Sequence, residues 1–365
     1  MLRCGIVGLP LSGKSTVFNV ITRAGAEVKP YAGGKTEPNR AMVSVPDARF
    51  DRLVQIFAPK KETPATVEFV DLAGLSRGAS DGAGLGNAFL SSVSEADALL
   101  HVVRAFDAPG VPHPEETIDP LRDWKIVERE LMYRDLGVIG NRLARIEEKA
   151  AKKKASPTEL AEAELLRELQ DQLMDERPLR ERAMTDEERR LLSGFAFLTL
   201  KPELVVSNLD EGQTGDVPLT APLRAAMEEK GVKVVDVFGA TEMELGQLGP
   251  EDQAELMAGL GIEEPGRDRL IHDAYALLGL ISFFTTGPDE VRAWTLRAGA
   301  TAVDAAGAIH SDLARGFIRA QVVSYDDFIA CGESIAACRD EGTLRLEGKG
   351  YIVRDGDMIE IRFNV

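Results

Sequence analysis

From Leu2 to about Phe238, short apolar runs alternate with amphipathic stretches, the pattern of a largely parallel sheet with helices on both faces. Strands are predicted at 2–7, 41–45, 66–71, 98–103, 204–208 and 232–238. About 100 residues separate the fourth of these from the fifth, far more than a crossover needs, so an inserted structure is expected there. Within it Leu136, Ile139, Leu143, Ile146 and Ala150 step by 3, 4, 3 and 4, the seam of a helix packed lengthwise on another helix. The partner helix is expected from Pro157 to about Asp175, with Leu165, Leu166, Leu169 and Leu173 on one side. Ser156-Pro157-Thr158-Glu159 reads as its capping box, with proline where a missing N–H costs nothing, and Thr185-Asp186-Glu187-Glu188 opens a further helix in the same way. After Gly266 the texture changes to an apolar run, 277–284, and short strands with turns at Thr286-Gly287-Pro288, Gly348-Lys349-Gly350 and Asp355-Gly356-Asp357, a small α+β domain.

The predicted layout is therefore an α/β domain over 1–125 and 199–276, a helical coiled-coil arm over 126–198, and a C-terminal domain over 280–365. Charge narrows the partners. Sixty acidic against 43 basic residues give a net −17, which argues against a sequence-blind electrostatic grip on nucleic acid and against DNA as a ligand. Any RNA contact must come from a local patch. The arm, with 12 basic and 13 acidic residues over 141–192, is near neutral but carries Lys152, Lys153 and Lys154 at its tip, where phosphate could be met. Three cysteines, Cys4, Cys331 and Cys338, lack metal or redox spacing. With no 18-residue apolar run and no signal-peptide pattern at the start, a cytoplasmic protein without a membrane partner is expected; a monomer is the expected state.

The chemistry is carried by Gly8-Leu9-Pro10-Leu11-Ser12-Gly13-Lys14-Ser15, which fits GxxxxGK[ST] directly after a strand and before the helix-compatible run that starts at Thr16. Successive N–H groups there cradle an anion, Lys14 reaches the β- and γ-phosphates, and Ser15 can ligate Mg²⁺. The strand 66–71 ends in Asp71-Leu72-Ala73-Gly74, a DxxG whose Asp71 carboxylate can hold Mg²⁺ through water and whose Gly74 N–H can meet a γ-phosphate. Where a signalling GTPase has its water-orienting glutamine, this chain has Leu75, so hydrolysis should be slow unless another group helps. His113, in an acidic, proline-broken loop, is a candidate for that help; a solvated loop histidine is the plainer reading. At the end of the fifth strand, Asn208-Leu209-Asp210-Glu211 stands where a GTPase carries NKxD. Losing the guanine-reading aspartate weakens the reason to exclude ATP. Gly239, Ala240 and Thr241 close the sixth strand, where backbone would meet the base.

With these residues in place, the chain resembles the YchF/Obg-like ATPase family. The likeness runs through the phosphate loop, DLAGLSRGASDGAGLGNAFL (71–90), HVVRAF (101–106), the NxxE variant at Asn208 and Glu211, FFTTGPDEVRAW (283–294), AAGAIHSDLARGFIRA (305–320) and EGKGYIVRDGDMIEIRFNV (347–365). The resemblance implies a Ras-like P-loop domain with an inserted helical hairpin, followed by a β-grasp TGS domain. It further implies ATP preferred over GTP, Leu75 as the hydrophobic replacement for glutamine, His113 at the position of a histidine suspected in catalysis, and a ribosome, ribosomal-subunit or tRNA partner. Two departures stand out: Leu11-Ser12 replaces the family's Asn-Val, which speaks against potassium activation. In the first switch Lys35 falls where the Mg²⁺-sensing threonine usually sits, leaving Thr36 to take the role. The expectation is thus a slow, Mg²⁺-dependent nucleoside triphosphate hydrolase acting as a translation switch. A GTP-specific GTPase and a nucleotide-stabilised scaffold with negligible turnover are its rivals.

Overall fold

The computed structural model describes residues 2–22, 27–29, 39–72, 93–108, 110–210, 213, 217–260 and 264–364. Elements run in the order β1 (Arg3–Val7), α1 (Lys14–Thr22), β2 (Glu27–Lys29), β3 (Asn39–Ser44), α2 (Ala48–Phe57), β4 (Lys61–Thr63), β5 (Thr66–Asp71) and β6 (Ala98–Ala105). Two long helices follow, α3 (Pro120–Ala151) and α4 (Pro157–Met174), then α5 (Asp186–Leu192), β7 (Glu203–Leu209), α6 (Ala221–Glu229), β8 (Val234–Val237), α7 (Gly239–Leu245), α8 (Pro250–Leu260) and α9 (Gly266–Leu277). The remainder is β9 (Leu280–Thr285), β10 (Glu290–Arg297), α10 (Ala302–Ile309), α11 (Ser311–Arg315), β11 (Phe317–Ser324), α12 (Tyr325–Ala330), α13 (Ile335–Asp340), β12 (Arg345–Glu347) and β13 (Asp357–Phe363).

A seven-stranded sheet has the order β2-β3-β5-β1-β6-β7-β8. Its centre, β5-β1-β6-β7-β8, is parallel, while β2 pairs antiparallel with β3 at one edge. Every side chain of β6 and β7 is buried, as expected for parallel strands covered on both faces. All six strands read from the sequence are present; β2 was too short and too polar to announce itself.

The inserted arm is the helix pair α3 and α4. Ile139, Leu143 and Ile146 pack against Ala163, Leu165, Leu166, Leu169 and Leu173, and Leu179, Leu192 and Phe197 close the far end of this cluster. Ion pairs Arg129–Glu176, Arg142–Glu162 and Lys149–Glu159 converge toward the connection, so the helices are antiparallel. Both predicted capping boxes form, at Ser156 with Glu159 and at Thr185 with Glu188. At 32 residues α3 extends about 48 Å. It begins at Pro120, within the stretch assigned to the nucleotide domain, because its first turns belong to the sheet's core: Ile126, Val127 and Leu131 pack with Val7, Val70 and Leu99, and Trp124 with Val103 and Val205.

The chain divides into two compact units, residues 1–42 with 68–270, and 43–67 with 271–365. The second contains a six-stranded sheet ordered β12-β11-β13-β9-β10-β4. Residues 43–67 join it because β4 adds in parallel to β10, Lys61 opposite Glu290, and Phe57 of α2 stacks on Phe328 of α12 at 5.8 Å. On the other face Ala302, Ala305 and Ala306 of α10 pack on Phe283, Phe317, Ala320 and Val322. Among the described residues no helix is long and apolar enough to cross a membrane.

Candidate functional site

The loop between β1 and α1 is shaped by two glycines whose positions admit no side chain. Gly8 has φ 151°, and a Cβ there would lie 2.3 Å from the Val102 carbonyl oxygen of β6; Gly13 has φ 92°, and a Cβ there would lie 2.0 Å from Asn208 Nδ2. Between them Leu11 takes the left-handed conformation at φ 62° and stands 51 % exposed. Leu9 is buried in the sheet's core cluster, and Thr16 of α1 lies against Gly239. Pro10 is part-exposed between them.

Lys14 opens α1, 7 % exposed, and its Nζ donates to the Leu9 carbonyl at 2.7 Å. Burial brings its ammonium down to about 8, a shift that the nearby Asp71 carboxylate partly opposes. Ser15 Oγ donates to Asp71 Oδ2 at 2.9 Å. Burial raises the Asp71 carboxyl above its ordinary range against the pull of Ser15, Lys14 and Asn39. Ser12 Oγ is buried with no hydrogen-bond partner among the described residues, an unusual state for a hydroxyl unless something else occupies its lone pairs. A buried cation, a hydroxyl with no partner among the described residues and a loop closed at Gly8 and Gly13, where no Cβ fits, together suit a polyanionic group. Ser15 and Asp71, hard oxygen donors already in contact, suit Mg²⁺.

Asn208, near the end of β7, ties the site together. Its Nδ2 donates to the Ser12 carbonyl at 3.2 Å, and its Oδ1 accepts from the Gly239 N–H at 3.3 Å. One amide thereby fixes the phosphate loop to the first turn of α7, where Ala240 and Thr241 follow. Leu209 turns away: it is buried with Ala105 and Val217, with Leu219 and Phe238 packed alongside. Thr36, Gly74, Leu75 and Glu211 lie outside the described residues.

His113 is not a solvated histidine. Its side chain is 4 % exposed, Nδ1 accepts from the Glu115 N–H at 3.0 Å, and Nε2 lies 2.8 Å from Asp123 Oδ2. Asp123 also accepts from Arg122. Burial raises the Asp123 carboxyl, opposed by Arg122 and His113. The imidazole thus staples the loop after β6 to the start of α3.

Two residues at this end of β6 carried no signal beyond the HVVRAF string. Arg104 sits opposite Asn208 in the β6–β7 register and is 2 % exposed. Its Nε donates to the Phe106 carbonyl at 3.2 Å, its Nη2 to the Val111 carbonyl at 3.1 Å, and its guanidinium lies 4.7 Å from the Phe106 ring centroid. Nη1 is buried without a hydrogen-bond partner among the described residues. The Phe106 ring reaches 3.7 Å from the position a Gly13 Cβ would take. Arg104 therefore holds an aromatic ring against the phosphate loop.

At the other end of β6 and β7, His101, Glu128 and Glu203 bring three ligand-type atoms within 4.8 Å of one another. A guanidinium already fills the role of a cation here. Arg180 Nη1 donates to Glu128 at 2.7 Å and Glu203 at 3.0 Å, while Glu203 accepts from Trp124 at 3.1 Å and lies 2.7 Å from His101 Nδ1. Burial raises the Glu128 carboxyl; at Glu203 burial pushes the same way, but Arg180 and His101 outweigh it and hold that carboxyl low. This cluster ties the arm's root to the sheet.

Against known proteins, a family model described as "50S ribosome-binding GTPase" matches residues 3–139, and the YchF-GTPase_C model, described as a protein of unknown function, matches residues 280–364. The chain is 43 % identical over 364 residues to the "Ribosome-binding ATPase YchF" of Haemophilus ducreyi, covering 100 % of this chain and 99 % of that protein. It is 42 % identical over 367 residues to the Bacillus subtilis protein of the same name, with 100 % of each covered. Among solved structures, the Schizosaccharomyces pombe YchF GTPase superposes with a TM-score of 0.86 at 32 % identity, over 99 % of this chain and 97 % of that one.

Proposed function

Because the chain belongs to the YchF family, we propose that it is an ATP-binding, slowly hydrolysing P-loop switch that acts on the ribosome. The observation that carries this reading is the built phosphate site: the loop 8–13 with Lys14 buried beneath it, Ser15 paired to Asp71, and Asn208 clamping the loop to Gly239. In this reading the loop's N–H groups and Lys14 hold the β- and γ-phosphates, and Ser12 Oγ gains the partner it lacks. Ser15 and Asp71, with Thr36, would hold Mg²⁺, which when bound neutralises phosphate charge.

Slow turnover follows from Leu75, whose side chain can neither orient water nor accept a proton. His113 is then the candidate helper. With both ring nitrogens engaged, it would first have to leave Asp123, which is a reason for hydrolysis to await a partner. Preference for ATP follows from Leu209 and Glu211 in place of lysine and aspartate. The Leu209 side chain packs among Ala105, Val217, Leu219 and Phe238 and carries no charge of its own to select guanine. The ribosome enters through the relatives' names, "Ribosome-binding ATPase".

Parallel titrations with ATP and GTP, followed by single-turnover hydrolysis with and without purified ribosomes, test the proposal. Tighter binding of ATP and ribosome-stimulated cleavage are expected. Tighter GTP binding would transfer the reading to a GTPase, and nucleotide binding without any stimulated cleavage would leave a scaffold.

A further inference from the structure

The free end of the arm is a cation in a strongly acidic chain. Over residues 142–167 there are seven basic and five acidic side chains, against a net −17 for the whole molecule. Four of those acids are already neutralised within the arm: Glu147 by Arg167 at 3.0 Å, Glu148 by Lys152 at 2.5 Å, Glu159 by Lys149 at 2.6 Å and Glu162 by Arg142 at 2.6 Å. The Lys149 contact and the Ser156 N–H hold the Glu159 carboxyl down to about 2. What remains unpaired among the described residues is Arg145, Lys153 and Lys154, all exposed, against Glu164.

The turn that presents these lysines is ordered rather than loose. Lys153 adopts φ 53°, its N–H donates to Ala150 at 2.8 Å, and the Lys154 N–H donates to Lys149 at 2.8 Å, a left-handed helix stop that usually needs glycine. Because α3 and α4 are antiparallel, their dipoles oppose one another at the tip, and the local field is set by the side chains. The second helix is capped at the tip by the Ser156–Glu159 box, the Ser156 N–H donating to Glu159 and the Ser156 hydroxyl accepting from the Glu159 N–H, and the Lys152 N–H donates back to the Glu148 and Ala150 carbonyls. Leu160, 47 % exposed, is the one large apolar side chain exposed in this part of the arm.

We propose that the closed end of the arm, through Lys153 and Lys154 with Arg145 about two turns behind, docks on the phosphodiester backbone of ribosomal RNA. This rests on the ribosome reading above and adds the surface and the chemistry of contact. Backbone contacts by lysine are sequence-blind and salt-dependent, each phosphate contributing about 0.7–0.9 to the slope of log affinity against log salt.

The test uses full-length protein, Lys153→Glu/Lys154→Glu, Lys153→Gln/Lys154→Gln and, as a control for general charge, Lys349→Glu. Each is sedimented with purified ribosomes between 50 and 200 mM salt, with ATP affinity measured on the same preparations as a check on folding. The reversed variant is expected to bind at least about tenfold more weakly at low salt with a slope smaller by about 1.5, the neutral variant to fall between, and Lys349→Glu to match wild type. Wild-type affinity and slope in the reversed variant overturn the inference. So does weaker binding with an unchanged slope, which would mean that the tip meets protein, or an equal loss in Lys349→Glu. Failure of the wild-type chain itself to sediment is a distinct result, and refutes the ribosome reading.

Discussion

Replacing Asn208 by alanine removes both bonds of the clamp, the donor to Ser12 and the acceptor for Gly239. Both are at the long end of the N–H···O range, so each is assigned the lower part of the usual net contribution. Together they give about 1–2 kcal/mol, or roughly 5- to 30-fold in nucleotide affinity if the loop must be held in place to bind. Gly13 makes the argument sharper. A methyl at Gly13 collides with Asn208 Nδ2 at 2.0 Å and sits at φ 92°, so Gly13→Ala bears a steric cost and a conformational one. Removing the Asn208 side chain abolishes the collision and leaves the backbone cost of about 1–2 kcal/mol. Calorimetric titration of wild type, both single variants and the double variant with ATP therefore predicts a double variant less impaired than the sum of the singles. Strict additivity, or an Asn208→Ala protein with wild-type affinity, would refute the clamp.

Raising pH should weaken ATP binding above about 8, where Lys14 loses its proton, with affinity falling about tenfold per pH unit until the bound-state value is passed; a flat profile from pH 7 to 9.5 contradicts the assignment. The sign for stability is opposite: the folded lysine titrates below its ordinary 10.5, so the cost of burying the ammonium, present below 8, is relieved as pH climbs toward 10.5. Lys14→Met should abolish that rise in denaturant midpoint. Arg104→Met frees Phe106 and the Val111 carbonyl and is expected to raise KM for ATP about 5- to 30-fold with a smaller change in kcat; unchanged KM removes its positioning role. Arg180→Met strands Glu128 and Glu203 in the core, and urea unfolding should report a loss of about 3–5 kcal/mol, against less than about 1 kcal/mol for an exposed pair such as Arg167 with Glu147.

Local chemistry made much of this legible in the sequence. The phosphate loop announces itself because glycine and lysine at fixed spacing have no substitute there, the arm because a 3-4 seam and two capping boxes are complete within a few turns, and the sheet because its central strands are buried on both faces. What escaped depended on pairings between distant residues. Strand β4 joins β10 from across more than half the chain, and no local pattern assigns Lys61–Thr63 to the C-terminal sheet. Arg180, Glu128 and Glu203 look like ordinary surface charges until the fold buries them together. His113 reads as a loop histidine because nothing nearby in sequence discloses Asp123 as its partner. Leu209 stands at a base-reading position in the NxxE string, yet Ala105 and Val217 claim its side chain. Arg104, a charge at the end of an apolar strand, was the clue that reasoning from periodicity passes over.

The most direct measurement is the calorimetric titration of Mg²⁺-ATP into wild type and Lys14→Ala. Loss of a buried charge-assisted contact to phosphate should weaken binding by at least about tenfold, at roughly 1.5–3 kcal/mol for a charged hydrogen bond. Equal affinity in the two proteins would place the nucleotide somewhere other than the loop between β1 and α1, and the account built on that loop would fail.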